Sequence, residues 1–338
     1  MSRTAPRAVT MEMVAREAGV SRQLVSLVIR DVGYVSPEKR SLVLDAAARL
    51  GYRRNTLAAG LAGRRTLSIG LAVLDLHNQV YADIADGVME VLGPAGYKLL
   101  IVATARRGAT GRADLEPLVG LRVDGLLLAT HLTEDLDLEH ALAGTPAVSI
   151  GSKIELAGIG AVFCDDRLGL RLATEHLISQ GHQDIAYVGG PHVFQDSARR
   201  AGYREAMAAA ALGTCEEDGN ATEYGGIEAF SRLQSRDRRP TAITCYNDET
   251  AMGVLGAARR LGLRIPEDVA VIGYDNTRPA DYPGVDLTSV DQQARAIGAR
   301  AAGMLLEQIE DAERPAVIDV LTPRLVVRHS SSFDRSLA

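Results

Sequence analysis

Two sets of side chains in this chain have types and spacings that could do chemistry. The first is compact. Arg22, Gln23, Ser26 and Arg30 recur at helical spacing, opposite Leu24, Val25 and Val28. An arginine suits the O6 and N7 acceptors of guanine, a glutamine suits N6 and N7 of adenine, and Leu27 offers apolar contact to a thymine methyl. That is the chemistry of reading base edges. The second set is dispersed: Asp75, His77, Arg199, Asn247 and Asp275 each follow a run with strand character or sit in the helix after one. Carboxylates accept while a guanidinium and an amide donate, the complement that vicinal hydroxyls need. Neither set is a catalytic constellation. The chain has no phosphate-cradling Gly-rich loop ending in Lys, no His-Glu-x-x-His and no Gly-x-Ser-x-Gly. Gly189-Gly190-Pro191 is a turn, not a dinucleotide fingerprint. Cys164, Cys215 and Cys245 are far apart, match no metal spacing and read as reduced thiols. No enzymatic activity, cofactor or metal is expected.

The compact set needs a rigid mount, and the flanking residues supply one. Thr10 caps a first helix with Met11, Val14, Ala15 and Ala18 at helical spacing, and Gly19 ends it. Ser21 caps the second helix, which carries the base-reading face. Ser36 with Pro37 at the first helical position opens a third, running to about Leu50 with Leu42, Val43, Ala46, Ala47 and Leu50 inward. Two short helices around a glycine turn form a helix-turn-helix, whose second helix enters the DNA major groove. Thr10, Ser21, Ser26, Tyr34 and Arg40 are expected at phosphates, which position without specifying sequence; a solvated surface is the alternative for any one of them.

Charge supports this mount. The whole chain carries a net charge of -6, but residues 1 to 65 hold 12 basic and 5 acidic side chains, a balance of +7. The remainder is left with -13, so phosphate attraction is confined to the front.

The dispersed set needs a different mount. From Leu67 the pattern becomes apolar runs alternating with amphipathic helices: strands at 67–74, 98–103, 125–129 and 147–150, with a helix near 79–95. A second series opens near Ala161, with helices at 166–180 and 199–211 and strands at 185–189, near 220, at 242–245 and at 269–273. Such alternation predicts two parallel, doubly wound α/β lobes with a cleft at the carboxyl ends of the strands. His131, His140, His176 and His329 read as surface or loop residues, and His182 as structural.

Taken together, Val14-Ala15-x-x-Ala18-Gly19-Val20-Ser21-x-x-x-Val25-Ser26, Val35-Ser36-Pro37-x-x-Arg40, Leu50-Gly51-Tyr52, Asn55-x-x-Ala58-x-x-Leu61-Ala62-Gly63, Asn247-Asp248, Val271-Ile272-Gly273-Tyr274-Asp275 and Val326-Val327-Arg328 resemble the lactose-repressor (LacI/GalR) family of bacterial transcription regulators. The resemblance covers residues 9 to 328. It implies a helix-turn-helix headpiece over 9–52, a hinge helix over 53–65, and a periplasmic-binding-protein-like body over 66–330. Within the body it implies an N-lobe of about 66–162 plus 292–319 and a C-lobe of about 163–291 plus 320–330, with crossovers near 162, 291 and 320. It adds Asn55 and Leu61 to the DNA contacts, Leu61 as an apolar wedge in the minor groove; a plain flexible linker is the alternative. It carries an effector role onto Arg199, Asn247 and Asp275, and places Gln292 at the pocket's closure. Tyr224 matches an aromatic that stacks on a sugar, or is a core tyrosine. The altered run Asp75-Leu76-His77-Asn78-Gln79-Val80-Tyr81 makes His77 and Tyr81 pocket candidates. Leu24 and Leu27 stand where members often carry Thr and Arg, and Arg54 where proline is usual.

The implied function is a homodimeric, sequence-specific regulator of operator DNA under control of a small polar effector, a sugar. A hydrophobic fraction of 46% supports sizeable cores, while no apolar run reaches the roughly 18 residues of a membrane span. The first residues show no apolar segment before a cleavage site, so a cytoplasmic protein is expected. A solute-binding protein for transport would suit the lobes but not the basic front, and an enzyme on the same lobes finds no catalytic residues.

Overall fold

The computed structural model describes residues 9–52, 65–104, 110–132, 136–191 and 194–332. Of the hinge expected over 53–65, residues 53–64, with Asn55 and Leu61, lie outside the described residues. The chain divides into two compact units, one ending at Thr66 and one beginning at Leu67.

Among its described residues the first unit has three helices, α1 (Met11–Ala18), α2 (Arg22–Arg30) and α3 (Pro37–Leu50). Thr10 Oγ1 accepts from the Met13 amide at 3.3 Å and Ser21 Oγ from the Leu24 amide at 3.2 Å, so both N-caps form as the sequence requires. Gly19 sits at φ 64°, ψ 32°, the left-handed conformation that closes α1 and turns the chain into α2. The core is small: Val14, Ala15, Val25, Val28, Val35, Val43, Ala46 and Ala47 are buried, with Leu24, Leu27 and Leu50 packed around them. Leu42 departs from expectation, being 53% exposed. The inward stripe of α3 is Val43, Ala46, Ala47 and Leu50, and Leu42 lies one residue, about 100° of rotation, off it.

The second unit is built from two six-stranded sheets. The first comprises β1 (Ser68–Val73), β2 (Lys98–Ala103), β3 (Gly125–Ala129), β4 (Ala147–Ile150), β5 (Gly160–Cys164) and β11 (Ile318–Leu321), in the order β11-β5-β4-β3-β1-β2. The second comprises β6 (Ile185–Gly189), β7 (Cys215–Asp218), β8 (Ala242–Cys245), β9 (Ala270–Tyr274), β10 (Thr288–Asp291) and β12 (Arg324–Val326), in the order β12-β10-β9-β8-β6-β7. Helices α4 (Val80–Leu92), α5 (Arg112–Gly120), α6 (Leu138–Leu142) and α11 (Ala294–Glu310) belong to the first lobe. Helices α7 (Asp166–Ser179), α8 (Phe194–Ala209), α9 (Glu223–Gln234) and α10 (Asp248–Arg260) belong to the second. Fully buried strands such as β3 and β9 are uninterrupted apolar runs, as strands covered on both faces must be.

The two doubly wound lobes agree with expectation, with three corrections. The strand expected to open the second series, β5, pairs instead between β4 and β11, so it belongs to the first sheet and the chain crosses after Cys164. An apolar run announces a strand but not its sheet. β11 likewise extends the first sheet through Leu321. β12 runs antiparallel to β10, so the second sheet is not wholly parallel.

A valine at Gly19 would be forced into a conformation that costs a β-branched residue about 1–2 kcal/mol. Gly19→Val should therefore lower the thermal midpoint of the headpiece transition while leaving that of the body in place, as followed by calorimetry. An unshifted first transition would show that the turn does not limit headpiece stability.

Candidate functional site

The topological switch point of each sheet falls between strands leading in opposite directions, β1 and β3 in one lobe, β6 and β8 in the other. Ligands of open α/β sheets bind beyond the carboxyl ends of the strands there. The structure has a cavity in that position, with an empty volume of about 650 Å³ including its mouth to solvent. The first lobe contributes Asn78, Tyr81, Thr130, His131 and Gly151; the second contributes Asp166, Gln195, Arg199, Tyr246 and Asp275, and Gln292 lies at the crossover after β10.

Arg199 is the centre of the site. It sits in the second turn of α8, not at the helix start as expected, and is 4% exposed. Its Nε donates to Asp166 Oδ1 at 2.9 Å and its Nη1 donates to the Tyr246 carbonyl. The guanidinium carbon lies over two rings, 3.6 Å from the Tyr274 centroid and 4.5 Å from that of Tyr246. Burial opposes its charge, but Asp166, the tyrosines and Asp275 outweigh burial and hold it protonated. Nη2 lies 3.9 Å from Asp275 Oδ1, beyond hydrogen-bond range.

Asp275 adopts φ 103°, a conformation L-residues rarely take, and its amide donates to the Val290 carbonyl at 2.8 Å. Backbone strain of this kind tends to mark sites where geometry matters more than stability. Its Oδ1 accepts from Gln292 Nε2 at 2.6 Å. Burial pushes its carboxyl well above the ordinary range, with Arg199 pulling the other way. Among the described residues, the acids and strong bases lining the cavity are Asp166, Asp275 and Arg199. His131 adds no charge near neutrality, since burial and then Arg199 lower its pKa from 6.5. Burial also pushes the Cys164 thiol up to about 12, which makes it inert, and the Tyr246 hydroxyl to about 12.

The expected effector residues divide. Arg199, Asp275, Gln292 and Tyr81 line the cavity. Asp75, His77, Tyr224 and Asn247 do not. His77 is 93% exposed, and its ring and amide close a turn on Asp75 Oδ1 at 2.8 and 2.9 Å. Those contacts, the amide first, lower the Asp75 pKa. Tyr224 stands on the first turn of α9 at 68% exposure, neither stacking platform nor core tyrosine. Asn247 spends both ends of its amide on structure, Oδ1 accepting from the Thr250 amide at 2.9 Å and Nδ2 donating to the Ala221 carbonyl at 3.1 Å. Cavity residues not anticipated are Asn78, Thr130, His131, Asp166, Gln195 and Tyr246. Thr130 and His131 directly follow β3, so the strand-end rule could have found them. Gln195 lies one turn before Arg199 on the same face of α8. His176 is half-buried rather than on the surface, with Nε2 3.0 Å from Ser331 Oγ.

On the headpiece, Arg22 and Gln23 are exposed at the start of α2, while Ser26 and Leu27 are half-buried. Leu27 packs against the small core, which limits what it can offer a base. Tyr34 is 93% exposed. Arg40 Nη1 pairs with Asp31 Oδ1 at 2.5 Å. Thr10 and Ser21 use their oxygens as acceptors, leaving each hydroxyl proton free to donate. The Arg30 side chain lies outside the described residues.

The fold and site define a helix-turn-helix headpiece joined in one chain to a two-lobed, cleft-bearing α/β body. Residues 10–55 match the bacterial regulatory proteins of the lacI family, and residues 174–331 match the periplasmic binding protein-like domain. The HTH-type transcriptional repressor PurR of Vibrio campbellii is 33% identical over 95% of this chain and 98% of its own. The solved complex of the transcriptional regulator CelR with cellobiose is 33% identical, covers 95% of this chain and 99% of its own, and superposes with a TM-score of 0.70. The lac repressor dimer bound to operator and the anti-inducer ONPF is 27% identical over 96% and 99% of the chains, with a TM-score of 0.81. The chain belongs to the lacI family and is a DNA-binding transcriptional regulator. No helix among the described residues is long and apolar enough to cross a membrane.

Arg199→Met would strand the buried Asp166 charge and should destabilise the body by about 3 kcal/mol in urea denaturation, with Asp166→Asn in the same chain recovering most of the loss. Failure of the second change to rescue the first would mean that packing, not charge, sets the cost.

Proposed function

We propose that the protein is a homodimeric repressor in the cytoplasm whose operator affinity is set by an uncharged sugar bound between the lobes. One observation carries the effector class: the 3.9 Å gap between Arg199 Nη2 and Asp275 Oδ1 inside the cavity. A hydroxyl placed there can accept from the guanidinium and donate to the carboxylate at once, and a neighbouring hydroxyl can reach Asn78 or His131. The cavity offers an anion little, because its guanidinium is already paired with Asp166 and packed against two tyrosine rings, with the acidic Asp275 beside it. Tyr81 and Tyr246 supply apolar ring surface for the sugar's C–H face.

The headpiece reads the operator. Arg22 and Gln23 are the proposed base contacts, with Leu27 as a lesser apolar one. Thr10, Ser21, Ser26, Arg30, Tyr34 and Arg40 are proposed at phosphates, Arg40 by exchanging its exposed Asp31 partner for a phosphate. Asn55 and Leu61 extend the contact into the minor groove at the centre of a pseudo-palindrome. Sugar binding acts only through a difference in affinity between the two lobe arrangements.

The test is retention of fragments of the source genome by the purified protein, followed by release with sugars. One enriched pseudo-palindromic site released by a neutral sugar is expected; no enrichment under any condition would defeat the reading. On that operator Arg22→Ala should cost about 1–3 kcal/mol and relax one base pair, whereas Tyr34→Phe should weaken all sequences alike. The releasing sugar should bind at least about 100-fold more tightly than its phosphate ester by calorimetry, a gap of ~3 kcal/mol; equal binding would contradict the cavity's charge. Its affinity should also fall as pH drops below 6.5, because His131, whose pKa is already lowered, must be neutral in the filled cavity. His131→Asn should flatten that profile.

A further inference from the structure

Gln195 touches both lobes. It lies in the first turn of α8 in the second lobe, and its Nε2 donates to the carbonyl of Gly151, at the carboxyl end of β4 in the first lobe, at 3.2 Å. Gly151 is held by its own amide, which donates to the Val162 carbonyl at 3.0 Å, and by a left-handed φ of 91°. A Cβ there would stand 3.3 Å from Gln195 Nε2, so the carbonyl is met closely because the residue is glycine. The other end of the same amide is different. Gln195 Oε1 is buried, has no hydrogen-bond partner, and belongs to a side chain lining the cavity. A buried acceptor without a partner is costly, and a donor supplied to it is correspondingly favourable.

We propose that Gln195 is a positioning residue that latches the lobes together and reads a donor on the effector. The inference rests on the cavity being the effector site. The Gly151 carbonyl can only accept, so the amide orientation is fixed by the contact across the cleft: nitrogen toward that carbonyl, oxygen toward the cavity. An effector O–H or N–H against Oε1 locks that orientation and polarises the amide, strengthening the donor that bridges the lobes. A ligand lacking a donor at this place fills the cavity without tightening the latch. Specificity and closure thereby share one side chain, and a purely apolar residue could supply neither.

The experiment uses the full-length protein with spin labels at Glu139→Cys and Asp237→Cys, exposed positions on the first and second lobes, with Cys215→Ser to silence the half-buried thiol. Labelled chains are diluted into unlabelled protein, and the interlobe distance is read by pulsed electron resonance without any ligand. Gln195→Met, similar in size but without donor or acceptor, should lengthen the mean distance while the thermal midpoint stays put. Gln195→Glu, which turns a carboxylate toward the Gly151 carbonyl, should lengthen it further. Distances identical to wild type in both variants would overturn the latch. The second arm measures binding of ribose, glucose and cellobiose by calorimetry. Whichever binds wild type should bind Gln195→Met about tenfold more weakly, and one of its deoxy analogues should bind the two proteins equally. Equal affinity of the intact sugar for both proteins would overturn the donor-reading role. If no sugar binds wild type, the effector class is wrong, and the latch still stands or falls on the distances.

Discussion

A guanidinium removed from water constrains everything near it. Arg199 is almost wholly buried, and an unpaired charge in such a place is not tolerated, so the surrounding chain is arranged to answer it. The answers come from three separate elements. Asp166 opens α7, just after the chain first crosses between lobes; Tyr246 directly follows β8; Tyr274 ends β9 and Asp275 follows it. Because all of these lie at carboxyl ends of strands or starts of helices, one ion fixes the floor of the cleft in the second lobe. The same ion explains why an acid-rich cavity persists in a protein that could have buried apolar groups there instead. Replacing a buried ion pair by hydrophobic residues is often neutral or stabilising, so its retention argues for recognition rather than stability.

The strain at Asp275 belongs to the same logic. The positive φ turns its carboxyl toward the cavity, and two contacts from β10 and the crossover beyond it hold the turn: the Val290 carbonyl accepts its amide, and Gln292 donates to its carboxylate. Gln292 follows the last residue of β10 and precedes α11, so it stands where the chain returns from the second lobe to the first. A ligand that engages Asp275 therefore bears on the connection about which the lobes must turn. Asp248 supports the turn from below. It is buried at the start of α10, where its carboxylate accepts from the Thr277 amide at 2.7 Å, the Thr277 hydroxyl at 2.8 Å and the Ser289 hydroxyl at 2.6 Å. Burial raises its pKa to about 6 against those bonds. With a folded pKa above its ordinary 3.8, this group costs stability as pH rises through that window, an expense the junction accepts in return for geometry.

What the sequence showed and what it hid follow from the range of the interactions involved. The headpiece was legible nearly residue by residue, because caps, a glycine turn and an i, i+3, i+4 stripe are local signals. The lobes were legible as alternating strands and helices, but the membership of β5 was not, since pairing with β4 and β11 depends on segments 10 and more than 150 residues away. Of the expected effector residues, Arg199, Asp275, Gln292 and Tyr81 line the cavity; strand-end position and family resemblance agree on the first two, and comparison with the family alone suggested the others. Asp75, His77 and Tyr224 stand off the cavity for a common reason. Each lies in or beside a turn after a strand, and turn geometry, not sequence distance, decides whether a side chain there points inward. Asn247 stands off it differently: a helix N-cap and a ligand contact look alike in sequence, and here the cap takes Oδ1 while the Ala221 carbonyl takes Nδ2. Asp166 was hidden because its strand was assigned to the wrong lobe.

Regulation in such a molecule is a free-energy coupling between two sites, and coupling is reciprocal. Whatever factor the effector applies to operator affinity, the operator must apply to effector affinity. The headpiece has a core of eight buried apolar residues, far smaller than those of the lobes. A unit so small holds little stability of its own, so modest differences are enough to change how it binds. The body must then supply a difference of only about 1–3 kcal/mol, the usual size of such couplings. That is the scale of one or two hydrogen bonds gained on closure, such as a hydroxyl bridging Arg199 to Asp275. A cleft with one buried ion, one strained carboxylate and a few amides is therefore equipped to act as a switch without a large rearrangement of its cores.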